Sequence, residues 1–182
     1  MKGSQFMKYL SVIGLCLFLS ACIGSGVNST VEKQAAGTFP VMTGIDLHGN
    51  EKQLPESFEG KKNLVSIGFE REDQAEIDTW IEFAETLETT NKDLRFYEVP
   101  LIYEINPAYR WWINNGMRSG VVGDEARTRT ITVYTDREKF LEIMEMNTDR
   151  IYTLLLDENG KILWRGEGAL TENHKAALKK FL

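Results

Sequence analysis

The sequence predicts an α/β fold, a three-layer sandwich built on a central mixed sheet and extended by an N-terminal hairpin. Three observations carry this. Short apolar or β-branched runs alternate with segments of helical spacing from Leu64 to Met144. Two apolar runs near the C-terminus flank the turn Asp157-Glu158-Asn159-Gly160, the pattern of an antiparallel pair. The folded part, about 145 residues, is enough for one good core and is most simply one domain.

The elements follow in order. Val41 to Leu54, folded at Gly49-Asn50, reads as a small hairpin. Leu64 to Phe69 is bounded by Lys61-Lys62-Asn63 and by Glu70 to Asp73, so it reads as a buried central strand. Ile77, Trp80, Ile81, Ala84 and Leu87 then recur at helical spacing, with acids near the start where the helix dipole favours them. Leu94 to Val99 is a second strand, expected to end at Pro100. Asn106-Pro107 opens a helix, the asparagine as N-cap and the proline in the first turn. Its expected inner face holds Tyr109, Trp112, Ile113 and Met117, and Gly116 to Thr128 reads as a loop. Thr130 to Tyr134 alternates as a strand, and Asp136 caps a short helix carrying Phe140, Leu141 and Met144. Ile151 to Leu156 and Lys161 to Arg165 form the last hairpin. Thr171 caps a final helix with Leu178 and Phe181 inward.

Ahead of this domain, Lys2 and Lys8 precede an apolar run from Tyr9 to Leu19, which ends in Ser20-Ala21-Cys22. The run is shorter than the roughly 20 apolar residues a spanning helix needs. It has the layout of an export signal. Leu19-Ser20-Ala21-Cys22 resembles the bacterial lipobox, which implies a signal peptide over 1–21 and lipid attachment at Cys22. Cleavage there removes Cys16, the other cysteine, and leaves no free thiol. Ile23 after the cysteine, by resemblance to sorting in two-membrane bacteria, implies the outer membrane facing the periplasm. The segment 22–38 is rich in Gly, Ser and Asn and reads as a flexible tether, with an extended reach on the order of 50 Å. Asn28-Ser29-Thr30 matches a glycosylation acceptor, which in this setting is a chance match.

The charge balance narrows the partners. The chain has a formal net charge of −6, and without Lys2 and Lys8 the remainder carries 19 basic against 27 acidic residues, or −8. An acidic domain does not suit nucleic acid, whose phosphates need a basic face. Nor does it adhere broadly to anionic lipid, so membrane attachment is expected through the N-terminal acyl chains.

The order hairpin, β, α, β, α, β, α, hairpin, α resembles the thioredoxin superfamily from about Phe39 to Leu182, in the branch that includes peroxiredoxin and TlpA-like proteins. Redox members place a nucleophilic cysteine after the first central strand, where a helix N-terminus stabilises the thiolate. Here that stretch, Glu70 to Glu76, has no cysteine. The place of the cis-proline that faces the reactive sulfur is taken by Arg150 or Ile151. The resemblance therefore implies the fold without thiol chemistry. Three stretches narrow it further. Gly116-Met117-Arg118, Thr130 to Asp136, and Ile162 to Ala169 with its Trp164-Arg165-Gly166-Glu167-Gly168-Ala169 turn resemble the mitochondrial assembly-factor family that helps build the membrane sector of ATP synthase. That likeness implies a binding or assembly module.

Other candidate sites are few. His48 and His174 stand apart from any His/Cys/Asp spacing for a metal, and read as surface residues. Glu70, Glu72, Asp73 and Asp78 lack the glycine-turned loop of calcium sites and read as a solvated helix start. No Ser/His/Asp signature or phosphate-cradling loop is present. Arg110, Arg118, Arg127 and Arg129 gather around the 116–128 loop. Their guanidinium forks suit a carboxylate-rich partner, or pairing inside the domain with its many acids. Trp111 and Trp112 are adjacent, so a helix turns them in different directions. Trp112 is the expected core residue and Trp111 the exposed contact. The expectation is a cysteine-free, lipid-anchored protein-binding or membrane-complex assembly factor, with no cofactor, no metal and no enzymatic activity. The rivals are a small-molecule binder and a cysteine-independent enzyme on the same fold.

Overall fold

The computed structural model describes residues 37–182, so the signal and most of the tether, including Cys22, lie outside the described residues. The strands are β1 (Met42–Asp46), β2 (Glu51–Leu54), β3 (Lys62–Gly68), β4 (Leu94–Tyr103), β5 (Ile131–Thr135), β6 (Tyr152–Asp157) and β7 (Ile162–Glu167). The helices are α1 (Gln74–Thr90), α2 (Pro107–Gly120), α3 (Asp124–Arg129), α4 (Arg137–Met144) and α5 (Glu172–Leu178). They surround one seven-stranded sheet in the order β2-β1-β5-β4-β3-β6-β7. The pairs β3–β4 and β4–β5 are parallel, and the flanking pairs are antiparallel. The predicted mixed sheet and both hairpins are therefore present.

Alternation along the central strands sends side chains to two cores. Val65, Ile67, Tyr97, Val99, Leu154 and Leu156 pack on one face with Phe39, Phe58 and the α4 residues Phe140 and Met144. Leu64, Leu94, Ile151 and Leu155 pack on the other with Ile77, Trp80 and Ala84 of α1 and Leu178 of α5. Register places Ser66 opposite Thr153 in β6, and their buried hydroxyls satisfy each other at 2.9 Å.

Polar side chains set both turns. In the first hairpin, buried Asp46 accepts from the backbone N–H groups of His48 at 2.9 Å and Asn50 at 2.8 Å. Burial alone would raise the Asp46 pKa. The Asn50 side chain, these two N–H groups and Lys52 outweigh it and hold the carboxyl below its ordinary range. At the second, Asp157 Oδ1 accepts from Asn159 and Lys161, both at 2.9 Å, and Gly160 takes φ +76°.

Three local expectations are corrected. β4 does not stop at Pro100 but runs to Tyr103. At Pro100 the strand is leaving β3, whose last residue is Gly68, and gaining β5 from Leu101 onward. The missing N–H thus falls at a handover between neighbours. Most of the predicted 116–128 loop is helical, because α2 runs to Gly120 and α3 starts at Asp124 after Gly123 at φ +102°. Phe181 lies beyond the end of α5 and is 38% exposed rather than inward.

Candidate functional site

The carboxyl ends of parallel strands are where open α/β sheets place ligands and chemistry. At the end of β3 the chain turns through Phe69 and Glu70 into the first turn before α1. Asp73 Oδ2 accepts from the N–H groups of Phe69 at 2.7 Å and Glu70 at 2.9 Å, which ties that turn down. Arg137, the first residue of α4 and 6% exposed, reaches across from the end of β5. Its Nη1 donates to the Phe69 carbonyl at 3.0 Å and to Glu70 Oε1 at 2.9 Å. Its guanidinium carbon lies 3.7 Å from the ring centroid of Tyr103, whose hydroxyl donates to Glu138 at 2.8 Å. In the stretch where the resemblance to redox members would place a cysteine, Glu70 instead meets an arginine that lies between a carbonyl, a carboxylate and an aromatic face. Across from it, Ile151 is fully buried and Arg150 pairs with Glu167 at 3.3 Å.

Three of the acids around the start of α1 have local partners: Glu70 in Arg137, Asp73 in backbone donors, and Asp78 in Gln74 at 2.9 Å. Among the described residues no three His, Cys, Asp or Glu side chains come together as an ion site. The two histidines have packing roles, and neither is the plain surface residue expected. His48 Nε2 meets the Asp124 carbonyl at 3.2 Å and its carboxylate at 3.3 Å, joining the hairpin to α3. His174 stacks on Trp80, ring centroids 5.3 Å apart.

The arginine group divides. Arg110 is buried: it pairs with Glu104, donates from Nε to the Ile105 carbonyl at 3.0 Å, and lies 4.9 Å from the Tyr134 ring centroid. Arg129 grips both oxygens of Glu88, at 2.6 and 2.8 Å, and also pairs with Glu125. The Glu88 carboxylate also receives the Phe96 N–H at 2.6 Å, so one carboxylate fastens α3, α1 and β4 together. Arg127 donates to the Val121 carbonyl at 3.0 Å. Pairing inside the domain therefore claims Arg110 and Arg129 and corrects their assignment to an exposed contact surface. Of the predicted surface, Trp111 and Arg118 are left exposed.

α2 is rotated relative to the sequence expectation. Its inner stripe is Arg110, Ile113, Asn114, Met117 and Val121, and only Arg110 is fully buried. Asn114 accepts from the Tyr134 hydroxyl at 2.8 Å. Burial pushes that phenol up to about 12, with Arg110 opposing. The surface beneath α2 thus offers the buried Tyr134 hydroxyl, which needs a polar partner, with the half-exposed Glu104 beside it. Asn114 and Arg110 meet them. Trp112 is consequently 69% exposed, the same as Trp111, and Tyr109 is 62% exposed. The expected core role of Trp112 is thereby overturned. No local pattern flagged this, because Glu104, Arg110 and Tyr134 meet only in space.

Two small clefts flank Arg129. One, about 130 Å³, is lined by Lys52, Ser57, Glu59 and Tyr97, and the other, about 150 Å³, by Glu85, Glu88, Phe96 and Glu98. Burial raises the Glu98 pKa, opposed by a hydrogen bond from Gln74 and reinforced by Asp78. Both clefts are well below the roughly 300 Å³ at which small-molecule pockets begin.

The Trp164 to Ala169 turn has a packing explanation. A Cβ on Gly166 would sit 2.3 Å from Trp164, whose ring lies 6.1 Å from that of Trp80. The Gly168 carbonyl receives Trp80 Nε1 at 3.0 Å, with Gly168 at φ +74°.

The fold is shared with solved structures. The thioredoxin domain of a thiol-disulfide oxidoreductase from Bacteroides vulgatus aligns with TM-score 0.52 and 21% identity, over 81% of this chain and 98% of that one. BsSco, a member of the Sco family of cytochrome c oxidase assembly proteins, aligns with TM-score 0.56 and 13% identity, over 82% and 94%. The exposed lipoprotein thioredoxin of Streptococcus pneumoniae aligns with TM-score 0.52 and 14% identity, over 78% and 99%. No curated protein matches the chain by sequence. A family model described as ATP10 protein matches residues 25–182, and with its thioredoxin-like fold the chain belongs to that family.

Proposed function

We propose that the protein is a non-redox thioredoxin-fold lipoprotein of the bacterial envelope that works as a binding or assembly factor for a membrane complex. The observation that carries this reading is the Arg137 closure at the end of β3. It ties the turn that would carry a reactive thiol to a buried guanidinium, which leaves the fold to act through its surfaces. The Sco-family neighbour, an assembly protein on the same fold, and membership of the ATP10 family support the reading. The small clefts beside Arg129 give little support to a ligand-binding alternative.

The test has two arms. The full chain should neither reduce insulin disulfides nor consume peroxide above a buffer blank, and deleting its gene should deplete one assembled membrane complex on native gels. Turnover of either substrate, or unchanged levels of every complex, overturns the reading.

The tether is proposed to begin at a lipidated Cys22. Among the described residues no helix is long and apolar enough to cross a membrane, so attachment on this reading rests on the acyl chains. Cys22→Ser should abolish palmitate labelling and move the protein from the membrane fraction to an uncleaved or soluble form. Unchanged labelling would sink the assignment.

A further inference from the structure

The outer face of α2 combines three properties. It exposes Tyr109, Trp111 and Trp112 on a helix that turns two of its polar residues, Arg110 and Asn114, inward. Three large exposed aromatics on one helix of a packed domain mark a surface that is covered in use. It also lies in a stretch without a single acidic residue, between Glu104 and Asp124, in a chain that carries 27 acids. Arg118 is its one outward charge. Finally, the described fold begins at Gly37, only a short segment after Cys22. Fully extended, residues 23–36 span roughly 50 Å at about 3.3 to 3.6 Å each, enough to lay any face of the domain on the bilayer.

We propose that the outer face of α2 seats in the interfacial layer of the membrane, with Tyr109, Trp111 and Trp112 at headgroup depth. Tyrosine and tryptophan pair an apolar ring with a polar tip and favour that layer. Anionic headgroups repel the acidic remainder of the surface and tolerate the acid-free face, so charge selects which side lies down. Beside the acyl chains, which hold only the N-terminus, an inserted aromatic face attaches the domain itself. The inference rests on the proposed function only in placing the domain at a membrane. It assigns Trp111 and Arg118 to lipid in place of a protein partner.

The test uses the full chain as isolated from its host, reconstituted in vesicles of phosphatidylethanolamine and phosphatidylglycerol with brominated acyl chains. Trp80 is fully buried and Trp164 packs against it, so bromine quenching reports the exposed pair. The expected result is a blue shift and loss of emission on reconstitution, both absent in Trp111→Phe with Trp112→Phe. Unquenched emission in lipid overturns the inference. If the pair is shielded only when the depleted complex is added back, α2 is a protein surface: the lipid inference fails and the proposed function stands. If neither lipid nor complex shields it, the inference fails, and the gene-deletion arm separately decides the function.

Discussion

Trp80→Ala should destabilise the domain by about 3 to 5 kcal/mol, the range for removing a large buried aromatic. Trp80 is fully buried, stacks on His174, packs 6.1 Å from Trp164 and bonds the Gly168 carbonyl through Nε1. Truncation opens a cavity between α1, α5 and β7 and leaves that carbonyl without its donor. Against a total stability of about 5 to 15 kcal/mol for a typical domain, this loss brings the protein close to unfolding. Trp111→Ala and Trp112→Ala should each stay within about 0.5 kcal/mol, since both side chains are 69% exposed. Urea denaturation followed by far-UV circular dichroism reads the contrast. Equal midpoint shifts for all three variants would mean that α2 packs its aromatics inward after all.

Gly160→Ala should lose about 2 to 5 kcal/mol, through two separable effects. At φ +76° an alanine pays a steric penalty of about 1 to 2 kcal/mol for the left-handed region. Its Cβ would also lie 2.4 Å from Pro55 Cγ, and overpacking of this kind adds about 1 to 3 kcal/mol. The turn matters beyond its own hairpin, because the Gly160 carbonyl receives the Phe39 N–H at 2.8 Å and so fixes the entry of the chain into the domain. Gly49→Ala is the control: φ is +93° and no atom lies within 4 Å of the added carbon, so only the backbone effect applies. Thermal melts of the two variants separate the effects. Equal losses would show that Pro55 yields without resistance.

Much of this fold is legible in the sequence because the relevant signals are local. Leu64 to Gly68 is apolar between charged flanks, Ile77, Trp80 and Ala84 recur at helical spacing, and Asn106, Asp136 and Thr171 are N-caps. All three cap side chains accept the N–H three residues on. Both hairpins are announced by turn residues whose backbone and hydrogen-bonding preferences act over four or five positions. The absence of a cysteine after β3 is likewise a plain reading of the chain.

What the tertiary structure alone decided is where the polar residues go. Arg110 and Arg129 look like members of one exposed basic cluster, because four arginines fall within a short stretch. Folding sends Arg110 to Glu104 and Tyr134, and Arg129 to Glu88, 41 residues away. The same long-range pairings turn α2 over. A helix whose apolar side chains predict Trp112 inside instead buries Arg110 and satisfies the buried Tyr134 hydroxyl, and leaves its aromatics facing out. Arg137 closes the end of β3 for the same reason, meeting a carbonyl and a carboxylate from the far side of the sheet. Apolar periodicity reports the average direction of the core along one segment. The partner of a buried charge is fixed by distance in space, which that periodicity does not encode.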